Sequence, residues 1–360
     1  MIDTEKQFAQ LLLQWHKNDN KRLMPWKGEK DPYKIWLSEI ILQQTRVEQG
    51  LSYYEKFIQQ FPTINHLANA QDEVVFKLWE GLGYYNRCKN LLHTARLICK
   101  EYHGKFPTEY DAILALKGIG PYTAAAIASF AFNQPYAVVD GNVFRVLARV
   151  FGIATPTDSP EGKVRFTHLA NKVLTPNSAA MHNQAIMDFG ATVCKPFNPL
   201  CLTCVFNTFC VAKQEALVNQ LPVKEKVLLK KKRFFSYFVF EYQGNLLIKK
   251  RTNSDIWQNL HEFYLVESAE AVFWNQQLVA ESLLQQLGIE KANIVHISPM
   301  YAQQLTHQKI QGQFVKIVLP EVPKPLQQYQ LVPLKEVSAW AFPKFINQYL
   351  EANSTQSSLF

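Results

Sequence analysis

Three sets of residues in this chain have types and spacings suited to chemistry. The first is a run of four cysteines, Cys194, Cys201, Cys204 and Cys210, separated by six, two and five residues. Four thiolates this close in sequence can close around one metal centre. A tetrahedral zinc site and an iron–sulfur cluster both accept four cysteines. Zinc sites more often present two Cys-x-x-Cys knuckles, and only one occurs here. The second is Glu39. The segment from Pro32 to Thr45 reads as a helix with Ile35, Trp36, Leu37, Ile40, Ile41 and Leu42 around most of its circumference, the pattern of a buried helix. A carboxyl between Ile35 and Leu42 would be desolvated and its pKa raised, as a general acid needs. The alternative is that Ser38, Glu39 and Gln43 form a narrow wet stripe. The third is the hairpin Leu116-Lys117-Gly118-Ile119-Gly120, a small-residue helix opened by Pro121, and Asp140 on an Asp-Gly turn twenty residues after Gly120. Two glycines allow the backbone to cradle a phosphate. The plainer alternative is a helix-to-helix turn, with Asp140 capping the next helix.

Two further stretches suit contact with nucleic acid. Gln43-Gln44-Thr45 carries side chains able to hydrogen-bond base edges. Gly81-Leu82-Gly83-Tyr84-Tyr85 sets aromatics beside flexible backbone, where one ring can wedge into a base stack and the other pack in a core.

These groups must be positioned by elements whose outline is legible. A chain of 360 residues, 48% hydrophobic and 19% charged, is long enough for two domains with sizeable cores. Residues 1–212 read as mostly helical, from the spacing of Phe8, Leu11, Leu12 and Trp15, of Val74, Val75, Leu78 and Trp79, and of Leu91, Leu92, Ala95 and Leu97. Residues 213–233 read as a linker ending in the basic run Lys230-Lys231-Lys232-Arg233, either solvated or touching phosphates. From Phe234 the pattern turns to short strands at 234–241, 246–249, 293–298 and 313–319. Helical stretches are expected near 269–287 and 335–350, the second started or kinked by Pro343. A second, α/β domain is expected over 234–350 and a frayed tail over 351–360. The net charge of +8 favours a polyanionic partner. The first twenty residues form an amphipathic pattern unlike a signal peptide, and no stretch suits a bilayer span. The expected location is therefore cytoplasmic, where cysteines act as ligands or core residues rather than disulfides. Cys88 and Cys99 read as core residues.

Taken together, the hairpin with Asp140 resembles the helix-hairpin-helix motif of base-excision DNA glycosylases, here about 108–132. The cysteine spacing over 194–210 resembles the [4Fe–4S] loop of the endonuclease III-like branch. Pro25-Trp26, Trp36 to Thr45 and Gly81 to Tyr85 resemble segments of MutY-type adenine DNA glycosylases. Trp257-Gln258-Asn259-Leu260-His261-Glu262-Phe263 and Leu305-Thr306-His307 resemble segments of that family's MutT-like domain, with Leu305 and Thr306 where the family has Phe and Ser. The resemblance implies a multi-domain α plus α/β protein. An all-α glycosylase domain would be followed by a MutT/Nudix-like α+β domain that reads 8-oxoguanine.

The resemblance also implies an activity, namely flipping of adenine mispaired with 8-oxoguanine or guanine and hydrolysis of its glycosidic bond. Glu39, protonated, would donate to adenine N7. Asp140, wet and ionised, would stabilise or trap the oxocarbenium sugar, with Tyr122 and Asn142 in support. Trp26, Lys27 and Gln184 would form the adenine pocket. Gly118, Gly120, Lys117, Gln43, Gln44, Thr45 and Tyr84 would contact DNA, and Leu305, Thr306 and His307 the lesion. A [4Fe–4S] cluster on the four cysteines would be structural. Endonuclease III-like lyases carry a Schiff-base lysine where this chain has Tyr122, which points to a monofunctional enzyme. The implied partner is duplex DNA with the mismatch, bound by a monomer in the bacterial cytosol or nucleoid. Glu262, Glu267, Glu270 and Glu281 lack the Arg-Glu-x-x-Glu-Glu pattern of Nudix hydrolases, so the second domain should bind without hydrolysing. An endonuclease III-like lyase on oxidised pyrimidines and a non-catalytic iron–sulfur DNA-binding module are the alternatives.

Overall fold

A computed structural model of the chain describes residues 4–225, 230–289 and 292–354. Residues 1–3 of the expected N-terminal helix, 226–229 of the expected linker and 355–360 of the expected tail lie outside the described residues. The chain divides into two compact units, residues 1–69 with 90–227, and residues 70–89 with 228–360.

The first unit is helical. It contains α1 (Thr4–Asn18), α2 (Pro32–Leu42), α3 (Val47–Gln60) and α4 (Ile64–Asn69); α5 (Asp72–Trp79) belongs to the second unit, and α6 (Asn86–Glu101) spans the join. The helices α7 (Tyr110–Leu114), α8 (Pro121–Phe132), α9 (Gly141–Phe151), α10 (Pro160–Val173), α11 (Ala179–Thr192) and the single turn α12 (Val211–Gln214) follow. The amphipathic spacing of α1 buries Phe8, Leu12 and Trp15. They join Val146, Leu147, Phe166, Phe189 and Phe206 in one core. Phe206 comes from the cysteine-bearing loop and stacks on Phe8 at 4.6 Å between ring centroids. That loop is thus pinned into the core by its own aromatic residue. The apolar run before Asp140 is extended but pairs with no strand. Its backbone is satisfied by asparagines instead. Asn183 accepts from Val138 N at 3.0 Å and donates to Tyr136 O at 2.8 Å, and Asn171 accepts from Ala137 N at 3.2 Å.

The second unit is built on a mixed sheet of β1 (Lys231–Tyr242), β2 (Asn245–Lys250), β3 (His261–Glu262), β4 (Tyr264–Ser268), β5 (Asn293–Ile297), β6 (Tyr301–Gln304), β7 (Gln308–Val318) and β8 (Gln330–Pro333). The order is β3-β2-β1-β7-β5, with β4 also on β1, β6 on β7 and β8 on β2. Among the described residues only β1 and β7 run parallel, in register from Lys231 opposite Gln308 to Glu241 opposite Val318. They approach so closely that a Cβ on Gly312 would sit 1.7 Å from the Phe235 carbonyl oxygen, which explains a glycine inside a strand. Both faces of β1 are covered, which accounts for its continuous apolar run. One face packs Phe238, Phe240, Val315 and Ile317 against Val279 and Leu283. Those two belong to a short helical segment, α13 (Gln276–Leu278) running into a π turn over Val279–Leu284. The other face stacks Tyr237 on Phe314, and Phe314 on Tyr349 of α14 (Lys344–Ser354) at 4.3 Å. Pro343 immediately precedes α14 and starts it.

The strands β3, β4, β6 and β8, of two to five residues, are not among those expected from the sequence pattern. The basic run also differs from expectation. Lys231 to Arg233 lie in β1, and Arg233 is buried, paired with Asp255 at 2.8 Å and Glu267 at 2.7 Å. Arg233 therefore neutralises acids of its own unit rather than reaching for phosphate. No helix among the described residues is long and apolar enough to cross a membrane.

Candidate active site

Helix α2 carries the first acid. Asp31 caps it, accepting from Tyr33 N at 2.9 Å, and Pro32 fills its first position. Ile35 to Ile41 are all buried, so the wet-stripe alternative does not hold. Ser38 turns its hydroxyl back onto Ile35 O, and Glu39 is 7% exposed. The Tyr122 hydroxyl, from the first turn of α8, donates to Glu39 Oε2 at 2.7 Å. Burial pushes the Glu39 carboxyl up to about 7; the Tyr122 hydrogen bond opposes this and the Asp140 charge adds to it. Tyr122 itself is held well above the usual phenol range by burial and then by the Glu39 and Asp140 charges. The two carboxyls and the phenol therefore form one electrostatically linked group, from α2, α8 and the residue that begins α9.

Asp140 caps α9. Its Oδ1 accepts from Val143 N and its Oδ2 from the Asn142 amide, both at 2.8 Å. It is half-buried and bonded to protein donors, rather than wet as its sequence setting led us to expect. Burial raises its pKa, and the Val143 N–H, Asn142 and Arg145 pull it back down. Arg145 is central to this support. Its guanidinium donates to Asn142 Oδ1 at 2.8 Å, to Gly190 O at 2.7 Å and to Cys194 O at 2.7 Å. A Cβ on Gly190 would stand 2.6 Å from Asn142 Cβ, so α11 and α9 meet at a point only glycine permits. Arg145, Asn183 and Gly190 were not singled out from sequence. A buried arginine in an amphipathic helix and a glycine inside another are weak signals that acquire meaning only through their partners.

A cavity of about 460 Å³ opens beside Glu39. Trp26, Lys27 and Gln184, assigned to an adenine pocket by resemblance, all line it, together with His16, Met24, Met181 and Met187. Tyr122, Asp140 and Asn142 are not among its lining residues.

The hairpin shows Lys117, Gly118 and Gly120 to solvent while burying Leu116 and Ile119. Gly118 has φ +80°, the left-handed region. Gly120 caps α8, so the exposed turn leads directly into a helix N-terminus. Gln43 turns its amide to Thr123 Oγ1 at 3.2 Å. The next residue, Gln44, is exposed with φ +58°, a strained presentation for a non-glycine side chain. Thr45 is half-buried, its hydroxyl near Gln43 O at 3.4 Å. In the second unit Tyr85 is 7% exposed and accepts from Gly81 N, whereas Tyr84 is 41% exposed with φ +49°. Tyr84 is thus the ring available to a base stack. Leu305, Thr306 and His307 form the turn between β6 and β7, and the Thr306 and Tyr84 hydroxyls are hydrogen-bonded to each other.

All four late cysteines line one small cavity, although among the described residues no three His, Cys, Asp or Glu side chains close on a single-ion site. Burial pushes the Cys204 thiol up to about 12 and raises Cys194 and Cys210. Such thiols ionise when a metal replaces the proton. Donors to sulfur are already in place, with Arg149 Nη1 3.6 Å from Cys194 Sγ and Phe206 N 3.4 Å from Cys204 Sγ. Four thiols lining one cavity, two of them facing N–H donors, are a donor set suited to an iron–sulfur cluster. Three acids of the second unit are held by arginines. Glu262 pairs with Arg251, Glu267 and Asp255 with Arg233.

Comparisons with known proteins place both parts of the chain in known families. Residues 37–166 match the HhH-GPD superfamily base excision DNA repair protein model, and residues 236–352 match the NUDIX domain model. The chain is 37% identical over 258 residues to an adenine DNA glycosylase of Buchnera aphidicola subsp. Schizaphis graminum, covering 71% of this chain and 74% of that one. It is 40% identical over 223 residues to the human adenine DNA glycosylase, covering 59% of this chain and 41% of the human protein. Among solved structures, a thermostable thymine-DNA glycosylase aligns with a TM-score of 0.54 and 29% identity, over 59% of this chain and 97% of that one. An endonuclease III in complex with DNA aligns at 0.50 and 19%, over 59% and 98%, a likeness of fold. The helical unit with its hairpin, the NUDIX match that follows it in sequence and a relative matched over 74% of its length agree, and the chain belongs to the adenine DNA glycosylase family.

Proposed function

We propose that this enzyme removes adenine mispaired with 8-oxoguanine or guanine by hydrolysing its glycosidic bond, without lyase chemistry, acting as a monomer on duplex DNA. One observation carries the reading, the buried Glu39 bonded to Tyr122 and coupled to the donor-loaded Asp140. Two interacting carboxyls divide their protons according to their surroundings. Asp140 accepts from two donors with Arg145 close by, which favours its anion. Glu39 accepts from one phenol in an apolar setting, which favours its neutral acid.

The target adenine leaves the stack and enters the cavity, between Trp26, Lys27 and Gln184. Gln44 holds the gap it leaves, and Tyr84, in the second unit, offers a ring to a base stack. Glu39 donates its proton to adenine N7, which makes the base a neutral leaving group. As the C1′–N9 bond lengthens, positive charge develops on the sugar and Asp140 offsets it; a water then bonds to C1′ and gives its proton back to the carboxyl pair, leaving free adenine and an abasic sugar. Tyr122 relays hydrogen bonding to Glu39, and Asn142 fixes Asp140. Gly118, Gly120 and Lys117 grip a backbone phosphate, and Gln43 and Thr45 complete the DNA contact. In the second domain, which we place at 234–350, Leu305, Thr306 and His307 read the base opposite. The glycosylase domain, which we place at 1–212, would hold a [4Fe–4S] cluster through Cys194, Cys201, Cys204 and Cys210. Bound there, the cluster supplies a covalent staple for the loop whose Cys194 carbonyl Arg145 grips.

A single-turnover panel tests the substrate. Duplexes with adenine opposite 8-oxoguanine or guanine should lose adenine, and thymine glycol should persist. The reverse pattern refutes the reading. For the metal, purified protein should be yellow-brown with iron and acid-labile sulfide, and Cys204→Ser should lose both. Colourless protein carrying zinc refutes the cluster.

A further inference from the structure

Asp188, on α11, plays no part in the mechanism above, yet it is the most completely buried acid of the helical unit, with 0% exposure. Three side chains of one loop converge on it. Asp188 Oδ1 accepts from Arg22 Nη1 at 3.0 Å, and Oδ2 accepts from Asn20 Nδ2 at 2.8 Å and from Lys27 Nζ at 3.2 Å. Lys27 Nζ also donates to Arg22 O at 3.0 Å, closing the loop on itself. This segment between α1 and α2 has no regular secondary structure of its own beyond turns, so these bonds define its course. It forms one wall of the cavity through Met24, Trp26 and Lys27, and Gln184, one turn before Asp188, lines the same cavity. Asp188 itself does not line it and acts from behind.

The contacts reach one residue further. The Asn20 amide nitrogen lies 2.9 Å from His16 Nδ1, and Asn20 Oδ1 accepts from Arg22 N. An amide NH₂ can only donate. With one hydrogen on Asp188, the other must go to His16 Nδ1, which is therefore an acceptor. His16 lines the cavity and is consequently the neutral imidazole with its proton on Nε2. Burial, then the Lys27 charge, lowers its pKa against the opposing Asp188 charge, in keeping with a neutral ring.

We propose that Asp188 is a positioning residue for base capture, which holds the Lys27 ammonium and the Nε2–H tautomer of His16 at the cavity that receives adenine. The proposal rests on the reading of that cavity as the adenine pocket. Its chemistry suits a purine, because Lys27 and His16 are both donors and the adenine ring presents acceptor nitrogens.

The test uses the full-length iron-loaded protein. Asp188→Asn should slow single-turnover adenine release at saturating enzyme by tenfold or more, with duplex affinity within about twofold of the parent. Nitrogen chemical shifts of labelled histidine should show His16 as the Nε2–H tautomer in the parent and as a mixture in Asp188→Asn. Asn20→Leu, at a surface-accessible position, provides a second variant should Asp188→Asn fold poorly. It should also abolish the single tautomer and slow base release. Parental release rates with an unchanged His16 signature in a folded variant overturn the proposal. Absence of adenine release by the parent itself refutes the reading of the cavity. The anchor is then decided by the tautomer measurement alone.

Discussion

Asp140→Asn should reduce adenine release by about 10³-fold while leaving duplex affinity within a few-fold of the parent. Asparagine caps a helix about as well as aspartate, so α9 should start where it does now. Its side-chain oxygen can still accept from Val143 N, which Asp140 does at 2.8 Å. What is lost is the negative charge facing the developing oxocarbenium, a contribution of the order expected for a preorganised electrostatic group. Single-turnover release on an adenine–8-oxoguanine duplex, beside an equilibrium binding measurement, separates the two effects. An Asp140→Asn enzyme with parental rates would remove Asp140 from the chemistry. One that binds DNA poorly would reassign it to the DNA-contacting surface.

Glu39→Gln should cost 10²- to 10⁴-fold in the same assay, the range for loss of a general acid. Its pH behaviour gives a sharper signature. The active form of Glu39 is the protonated one, and burial places its pKa at about 7. Base release should therefore be sustained below pH 7 and fall as pH rises through that value, and the limb should disappear in Glu39→Gln. Stability should move in the same sense as activity. A carboxyl whose folded pKa is raised from 4.5 to about 7 stabilises the fold fully below its unfolded value, and that contribution is lost as pH rises through 7. Glutamine keeps the shape and can still accept from Tyr122 without ever ionising. Glu39→Gln should thus be more stable than the parent at pH 8, by on the order of 3 kcal/mol at most, and equal to it near pH 4. Urea melts at the two pH values check this. An inactive variant that is also less stable at pH 8 would mean that Glu39 is ionised and paired in the parent. The expected gain at pH 8 would mark the buried acid as a cost to the fold, retained at a functional position.

Much of this was legible from residue types and spacing. The apolar residues around Glu39 already implied a buried helix, because burial of a helix follows from its own periodicity, while the choice between a dry carboxyl and a wet stripe waited for the structure. The Gly118 hairpin and the four cysteines are local patterns, each spanning fewer than about twenty residues, and short-range geometry decides them. Strand character in Phe234 to Glu241 was equally local, since a run covered on both faces is apolar at every position.

Other features depended on segments far apart in the chain. That Tyr84 is exposed and Tyr85 buried depends on where the chain turns at Gly83, not on the two side chains, which are the same. The basic character of Lys230 to Arg233 suggested a solvated run, yet strand pairing turned Arg233 onto Asp255 and Glu267, an outcome no local pattern contains. Nor did Asp140 look protected in sequence, because its protectors, Asn142 and Arg145, gain their roles from Gly190 and Cys194 some forty-five residues on. The sequence by itself determined that the helix carrying Glu39 is apolar around most of its circumference, which turns were tight and which thiols could share a centre, since these are properties of neighbours along the chain. Tertiary structure alone decided that Glu39, Tyr122 and Asp140 act on one another and that Asp188 stands behind Lys27. A carboxyl's ionisation answers to charges within a few ångströms, and sequence separation says nothing about those.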